Sequence, residues 1–114
     1  MKEVVFYSER PSVFQTYENG EVQYRWDIEE VISQWKCKEV TINSPIDKDK
    51  LTQVVITSIW DNDLEKKLIN DYNGAKAGLF NTATKAKYIA DYTSFLNERK
   101  AIKEQIDLDW NENR

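Results

Sequence analysis

The chain has 114 residues, 40% of them hydrophobic, with four Trp, six Tyr and four Phe; this is enough bulky apolar surface for one core without staples and too little length for two ordinary domains. Sixteen basic and 20 acidic side chains leave a net charge of −4 with both signs intermixed, which argues against long-range attraction to a nucleic-acid backbone or to anionic lipid. There is no histidine and a single cysteine, Cys37, so an intramolecular disulfide, a Cys–His nucleophile pair and a Cys/His zinc site are all excluded.

Charge returns within a few residues of the N-terminus, and no apolar run approaches ~18 residues. The expectation is a protein made in the cytoplasm and staying soluble, with no membrane partner. Val4-Val5-Phe6-Tyr7 is a compact β-branched and aromatic run closed by Pro11, and it suits a buried strand. From Val13 to Ile28 the pattern alternates around Glu18-Asn19-Gly20-Glu21, and Asn-Gly accepts positive φ at both centres of a type I′ turn. Pairing across that turn sets Tyr17 opposite Val22, Gln15 opposite Tyr24 and Val13 opposite Trp26, with Ile28 continuing the apolar face. Glu18 would then face Glu21, a like-charge pair that leaves a longer turn open. Residues 29–34 are ambiguous. Trp35 to Ile42 predicts the last strand, ended by Asn43-Ser44-Pro45.

A helix starts next, either with Asp47 as N-cap and an Ile46–Leu51 hydrophobic staple, or with Ser44 as cap and Pro45 as first helical residue. Leu51, Val55 and Ile59 recur at helical spacing, although Val54-Val55-Ile56-Thr57 is β-branched. The apolar register slips at Trp60 to Asp63, where Asn62 and Glu65 resemble a fresh capping box, so a break is expected there. Leu64, Leu68 and Tyr72 form a second stripe that Asn73-Gly74 and Gly78 weaken. The final helix, capped by Thr82 or Thr84, carries Tyr88, Tyr92, Phe95, Ile102 and Ile106, with Arg99 interrupting the seam. Roughly twenty-five residues, or about 37 Å, would let it project beyond the strands. The expected fold is a single α+β domain over residues 1–114, with a small antiparallel sheet in 1–45 and two to three helices in 46–114, the last one long.

Catalysis has little to stand on. Without histidine, acid/base work would need a strongly shifted carboxylate, lysine or tyrosine, and none is marked by the sequence. Asp61, Asp63 and Glu65 alternate like oxygen ligands, but the calcium-loop positions for glycine and glutamate are Lys66 and Tyr72; helix capping explains the acids better. Cys37 has Lys36 and Lys38 beside it, which strand alternation turns to the opposite face. Three glycines cannot supply a phosphate-cradling loop. Tyr7, Tyr17, Tyr24 and Trp26 superficially suggest a base-stacking platform, yet residues 1–57 carry 7 basic against 10 acidic side chains. The reading is no catalytic residue, no metal, no cofactor and no nucleic acid.

Charge in the last helix is uneven: Lys85 and Lys87 stand near its start, and Glu104, Asp107, Asp109 and Glu112 crowd its end. This opposes the helix macrodipole, so complementary charge on a neighbouring subunit or a solvated surface are the two explanations.

Leu68-Ile69-Asn70-Asp71-Tyr72-Asn73, then Tyr92, Phe95-Leu96-Asn97-Glu98-Arg99-Lys100, Ile102-Lys103 and Asp107, together with the strand Trp35-Lys36-Cys37-Lys38-Glu39-Val40, resemble small uncharacterised proteins encoded by phages and prophages of gut Bacteroidetes. The resemblance implies a non-enzymatic structural or assembly protein, associated with virions or tails and partnered by itself or by another phage structural protein. The alternative is a small acidic module that inhibits or recruits a host protein. Lys85, Lys87, Arg99, Ile102, Ile106 and Trp110 are the expected contact residues, on the reasoning that a helix outrunning its sheet must bury its apolar face elsewhere.

Overall fold

A computed structural model describes residues 2–113 of the chain. These form strands β1 (Val5–Tyr7), β2 (Phe14–Thr16), β3 (Glu21–Val31) and β4 (Gln34–Asn43), then helices α1 (Lys48–Ile59), α2 (Asn62–Lys76) and α3 (Thr82–Glu112). The strands make one antiparallel sheet in the order β1-β4-β3-β2. The fold is therefore α+β, and the change from strand to helix falls between Asn43 and Lys48.

The β2–β3 hairpin differs by one residue from the register of a two-residue turn: Phe14 pairs with Tyr24, Gln15 with Gln23 and Thr16 with Val22. The loop takes three residues, with Gly20 N–H donating to Tyr17 O at 3.0 Å and Gly20 itself at φ +87°. Glycine thus sits at the left-handed bulge position of the longer turn, and Glu18 no longer faces Glu21. A one-residue slip exchanges faces: Phe14 joins the apolar side, while Tyr17 turns outward to donate to Gln23 Oε1 at 2.7 Å. Residues 29–31 belong to β3, and the chain returns through Ile32 and Ser33, both at positive φ. Their angles, 35° and 65°, are of the type I′ kind without the Asn or Gly that usually adopts them. β1 is not a buried strand. It is a three-residue edge whose central residue, Phe6, is 53% exposed, and Val4, just before the strand, is 41% exposed.

Val22, Tyr24 and Trp26 of β3, with Val40 and Ile42 of β4, close on Leu51 and Val55 of α1 and Ile106 of α3. Burying side chains of this size contributes about 1.5–3 kcal/mol each. The Tyr24 and Trp26 rings stack at 5.5 Å, and Phe14 lies 5.0 Å from Tyr24. The Tyr24 hydroxyl donates to Asp109 Oδ2 at 2.6 Å, and Gln105 Nε2 donates to Asp109 Oδ1 at 3.0 Å. A buried carboxylate is thereby satisfied, and the C-terminal half of α3 is pinned over the centre of the sheet.

Caps set the helix starts. Asp47 accepts from Lys50 N–H at 2.7 Å with Ile46 against the core, which selects the staple over the Ser44 cap. Asp61 accepts from Leu64 N–H at 2.8 Å, one residue before the expected Asn62. Asn81, not Thr82 or Thr84, caps α3 by accepting from Thr84 N–H at 2.8 Å. Val54 to Thr57 stay helical because Val55 and Ile56 are buried by helical placement. α2 ends in a paired cap, Gly78 N–H to Ala75 O and Leu79 N–H to Gly74 O. Gly74 also lets Phe80 fold back on α2, since a Cβ there would lie 2.8 Å from the ring. At 31 residues, α3 is about 46 Å long and exceeds the expected length.

Candidate interaction surface

The two halves of α3 have different surroundings. Ile106 is 1% exposed within the core, and Ile102 and Trp110 pack against it. These three residues are therefore not the free end of a helix that outruns its sheet. The half that leaves the sheet is the N-terminal one, because Tyr24 and Phe14 hold Asp109 and Trp110 while the ring contacts of Tyr88 and Tyr92 are made to Phe80 and to Tyr72 of α2. Arg99 is half-buried between the two halves.

Beside the free half runs α2, antiparallel to it and packed against little else. Trp60 meets Phe95 edge-on at 5.1 Å where this two-helix arm joins the body. Tyr72 and Tyr92 stack at 4.4 Å midway, and Phe80 meets Tyr88 at 5.0 Å at the tip. Buried side chains are sparse: Ala75 is the buried residue of α2, and Phe95 that of the first half of α3. Leu64, Leu79, Phe80 and Leu96 are 39%, 74%, 37% and 44% exposed. The arm elongates the molecule, giving a radius of gyration of 17.3 Å against about 13 Å for a compact chain of this length.

The uneven charge is largely answered within the chain. Asp107 pairs with Lys48 of α1 at 3.2 Å, Lys87 pairs with Asp91 at 2.9 Å, and Asp109 is buried under Tyr24. Hydrogen bonds to Asp91 and Asp71 hold the Lys87 and Lys67 ammonium groups above their ordinary range. Lys76 and Lys85 are exposed and meet no carboxylate among the described residues. The acidic end of α3 thus has structural duties that the sequence pattern did not disclose.

A second polar cluster lies on the other face of the sheet, where Arg25 is 1% exposed. Its Nε donates to Glu39 at 2.7 Å, Nη1 to Ser12 O at 3.0 Å, and Nη2 to Gln15 Oε1 at 2.8 Å and to Gln23 Oε1. The Tyr7 ring covers the guanidinium at 4.9 Å, and its hydroxyl donates to Glu39. β1 and β2 are at opposite edges, so the connection between them crosses this face and buries the group. Burial alone would lower the Arg25 pKa, but Glu39 and Tyr7 outweigh it and hold the charge. With four acceptors filled, this arrangement fastens the β1–β2 crossing and offers no open group for chemistry.

Cys37 is fully buried on the same face, and burial, then Glu39, push its thiol up. Lys36 and Lys38 point the other way and pair with Glu29 and Asp27 at 2.6 and 2.9 Å. The four strand aromatics split between faces, Tyr24 and Trp26 inside and Tyr7 and Tyr17 outside, so they form no continuous stacking platform. Asp61 is committed to its cap, and no group of three His, Cys, Asp or Glu among the described residues is set to hold a metal. Among the same residues, no helix is long and apolar enough to cross a membrane. Comparison with protein-family models, with curated proteins and with solved structures finds no match to this chain.

Proposed function

We propose that the protein is a non-enzymatic structural or assembly protein of phage type, acting through protein–protein contacts made by the α2–α3 arm. The observation that carries this reading is the arm itself: a two-helix projection whose apolar residues Leu64, Leu79, Phe80 and Leu96 remain substantially open to solvent. Two antiparallel helices without a further layer leave such residues exposed, and docking is the physical means of covering them. The phage context comes from sequence resemblance, carried in the arm by Leu68 to Asn73 and by Tyr92, where Tyr72 and Tyr92 stack, at its junction with the body by Phe95 to Lys100, and in the body by Trp35 to Val40 of β4 and by Ile102, Lys103 and Asp107 of α3. The acidic-bait reading is less well supported, since Asp107 and Asp109 are engaged inside the molecule.

The test is recovery of phage particles and assembly intermediates from cells that express the chain, followed by quantification of the protein in each fraction. The expected result is retention through high-salt washing at a fixed ratio to a structural protein. Absence from every particle fraction, together with stoichiometric capture of one host protein, would overturn the proposal.

A further inference from the structure

We infer that the arm pairs with the arm of a second copy of this chain, antiparallel across a two-fold axis, to complete a four-helix bundle; this rests on the assembly role proposed for the arm. The occupant is specified by the pattern on one side of the hairpin. On α2 the residues Glu65, Ile69, Tyr72 and Lys76 follow one another at spacings of 4, 3 and 4, and on α3 Lys85, Ile89, Tyr92 and Leu96 do the same. Residues so spaced share a helix face, and the Tyr72–Tyr92 stack at 4.4 Å brings the two faces together. Ile69, Tyr72, Ile89 and Tyr92 are half-buried and Leu96 is 44% exposed, so this apolar strip is covered from one side only.

Charge then selects the direction. Lys76 and Lys85 stand at the tip and meet no carboxylate among the described residues, whereas Asp61, Asp63 and Glu65 stand at the base of α2. A parallel pair would bring the lysine tips of both copies together, which is repulsive. An antiparallel pair places each tip against the other copy's base. Glu65 and Lys76 are eleven positions apart, or about 16 Å along the helix, so a two-fold axis passing between Ile69 and Tyr72 satisfies both ends at once. Such closure is isologous and self-limiting.

The area is adequate for a reversible dimer. The chain exposes 7738 Å², about 1,200 Å² more than a compact protein of its mass. An arm face about 25 Å long and 20 Å wide buries about 1,000 Å² over both partners, the lower bound for a specific interface.

Sedimentation velocity of the full chain from about 1 to 100 µM is the test, with the Lys76→Glu variant and a double variant that adds Glu65→Lys, which reverses the one pair related by the two-fold axis. The wild type should dimerise in the micromolar range, Lys76→Glu should weaken association at least about tenfold, and the double variant should recover most of it. Both positions lie on the arm, and far-UV circular dichroism confirms that each variant is folded. As a second check, Leu96→Glu should also yield monomers. A wild type that stays monomeric at 100 µM overturns self-pairing, and so does a double variant as weak as Lys76→Glu. The assembly reading is judged separately by particle retention: Leu96→Glu retained as well as wild type would overturn the arm as docking surface even if the dimer were real.

Discussion

Replacing Tyr24 by Phe removes one hydroxyl at the centre of the sheet and leaves Asp109, 7% exposed, with Gln105 as its remaining side-chain donor. A hydrogen bond to a charged group contributes about 1.5–3 kcal/mol, and the ring stack on Trp26 is kept, so the loss at neutral pH should fall in that range. Burial first, and then the Asp109 carboxylate, hold the Tyr24 phenol above the ordinary tyrosine range. Above pH ~10 the unfolded chain therefore releases a proton that the folded chain retains, and unfolding free energy falls as pH rises, by up to about 1.4 kcal/mol per pH unit for one group. Below that pH the stabilisation is fully present. Urea melts of wild type and Tyr24→Phe at pH 7 and at about pH 11 give the assay: the gap between them should shrink by about 1.4 kcal/mol at the higher pH. A gap that stays constant, or a neutral-pH loss below about 0.5 kcal/mol, would refute the claim that this hydroxyl ties the sheet to α3.

Other consequences are as concrete. Ile32 is 98% exposed at φ 35°, a left-handed angle that costs a β-branched residue about 1–2 kcal/mol; Ile32→Asn should raise stability by about 1 kcal/mol in thermal melts. Glu39→Ala strips the buried Arg25 of its carboxylate and should cost about 3–5 kcal/mol, whereas Glu39→Gln, which keeps an acceptor, should cost clearly less by the same denaturant titration. Cys37, buried with its thiol pushed up, should resist alkylation by iodoacetamide in the native protein and label at the free-thiol rate in denaturant. Rapid native labelling would show that the crossing over Arg25 opens.

The parts of the fold that were legible in the sequence are those governed by local rules. Asp47 is one of the two caps open for α1, and Asp61 and Asn81 each stand one position before an expected cap, Asn62 and the earlier of Thr82 and Thr84, while the strand-to-helix change follows Pro45 as its missing amide donor demands. The β2–β3 register was legible only as a conflict between the Asn-Gly signal and the Glu18–Glu21 repulsion, which Gly20 at φ +87° resolves. The turn at Ile32-Ser33 was hidden, because neither residue is one that turn chemistry favours. The contact surface was least legible. Periodicity marks α3 as amphipathic along its length, but which half lies on the sheet depends on Tyr24 reaching Asp109, 85 positions away, and on Ile106 entering the core. That long-range tie shifts attention from Ile102, Ile106 and Trp110 to the arm. Lys85 remains a candidate contact, now joined by Glu65, Ile69, Lys76 and Leu96.

The central claim is that the arm has little core of its own until another molecule covers it. Native-state hydrogen exchange at about 1 and 300 µM measures this residue by residue. Amides of α2 and of the first half of α3 should exchange at least about tenfold more slowly at the higher concentration, while those around Leu51, Tyr24 and Ile106 should not change. Arm amides that exchange at the same rate at both concentrations, or that are already as protected as the body when dilute, would contradict it.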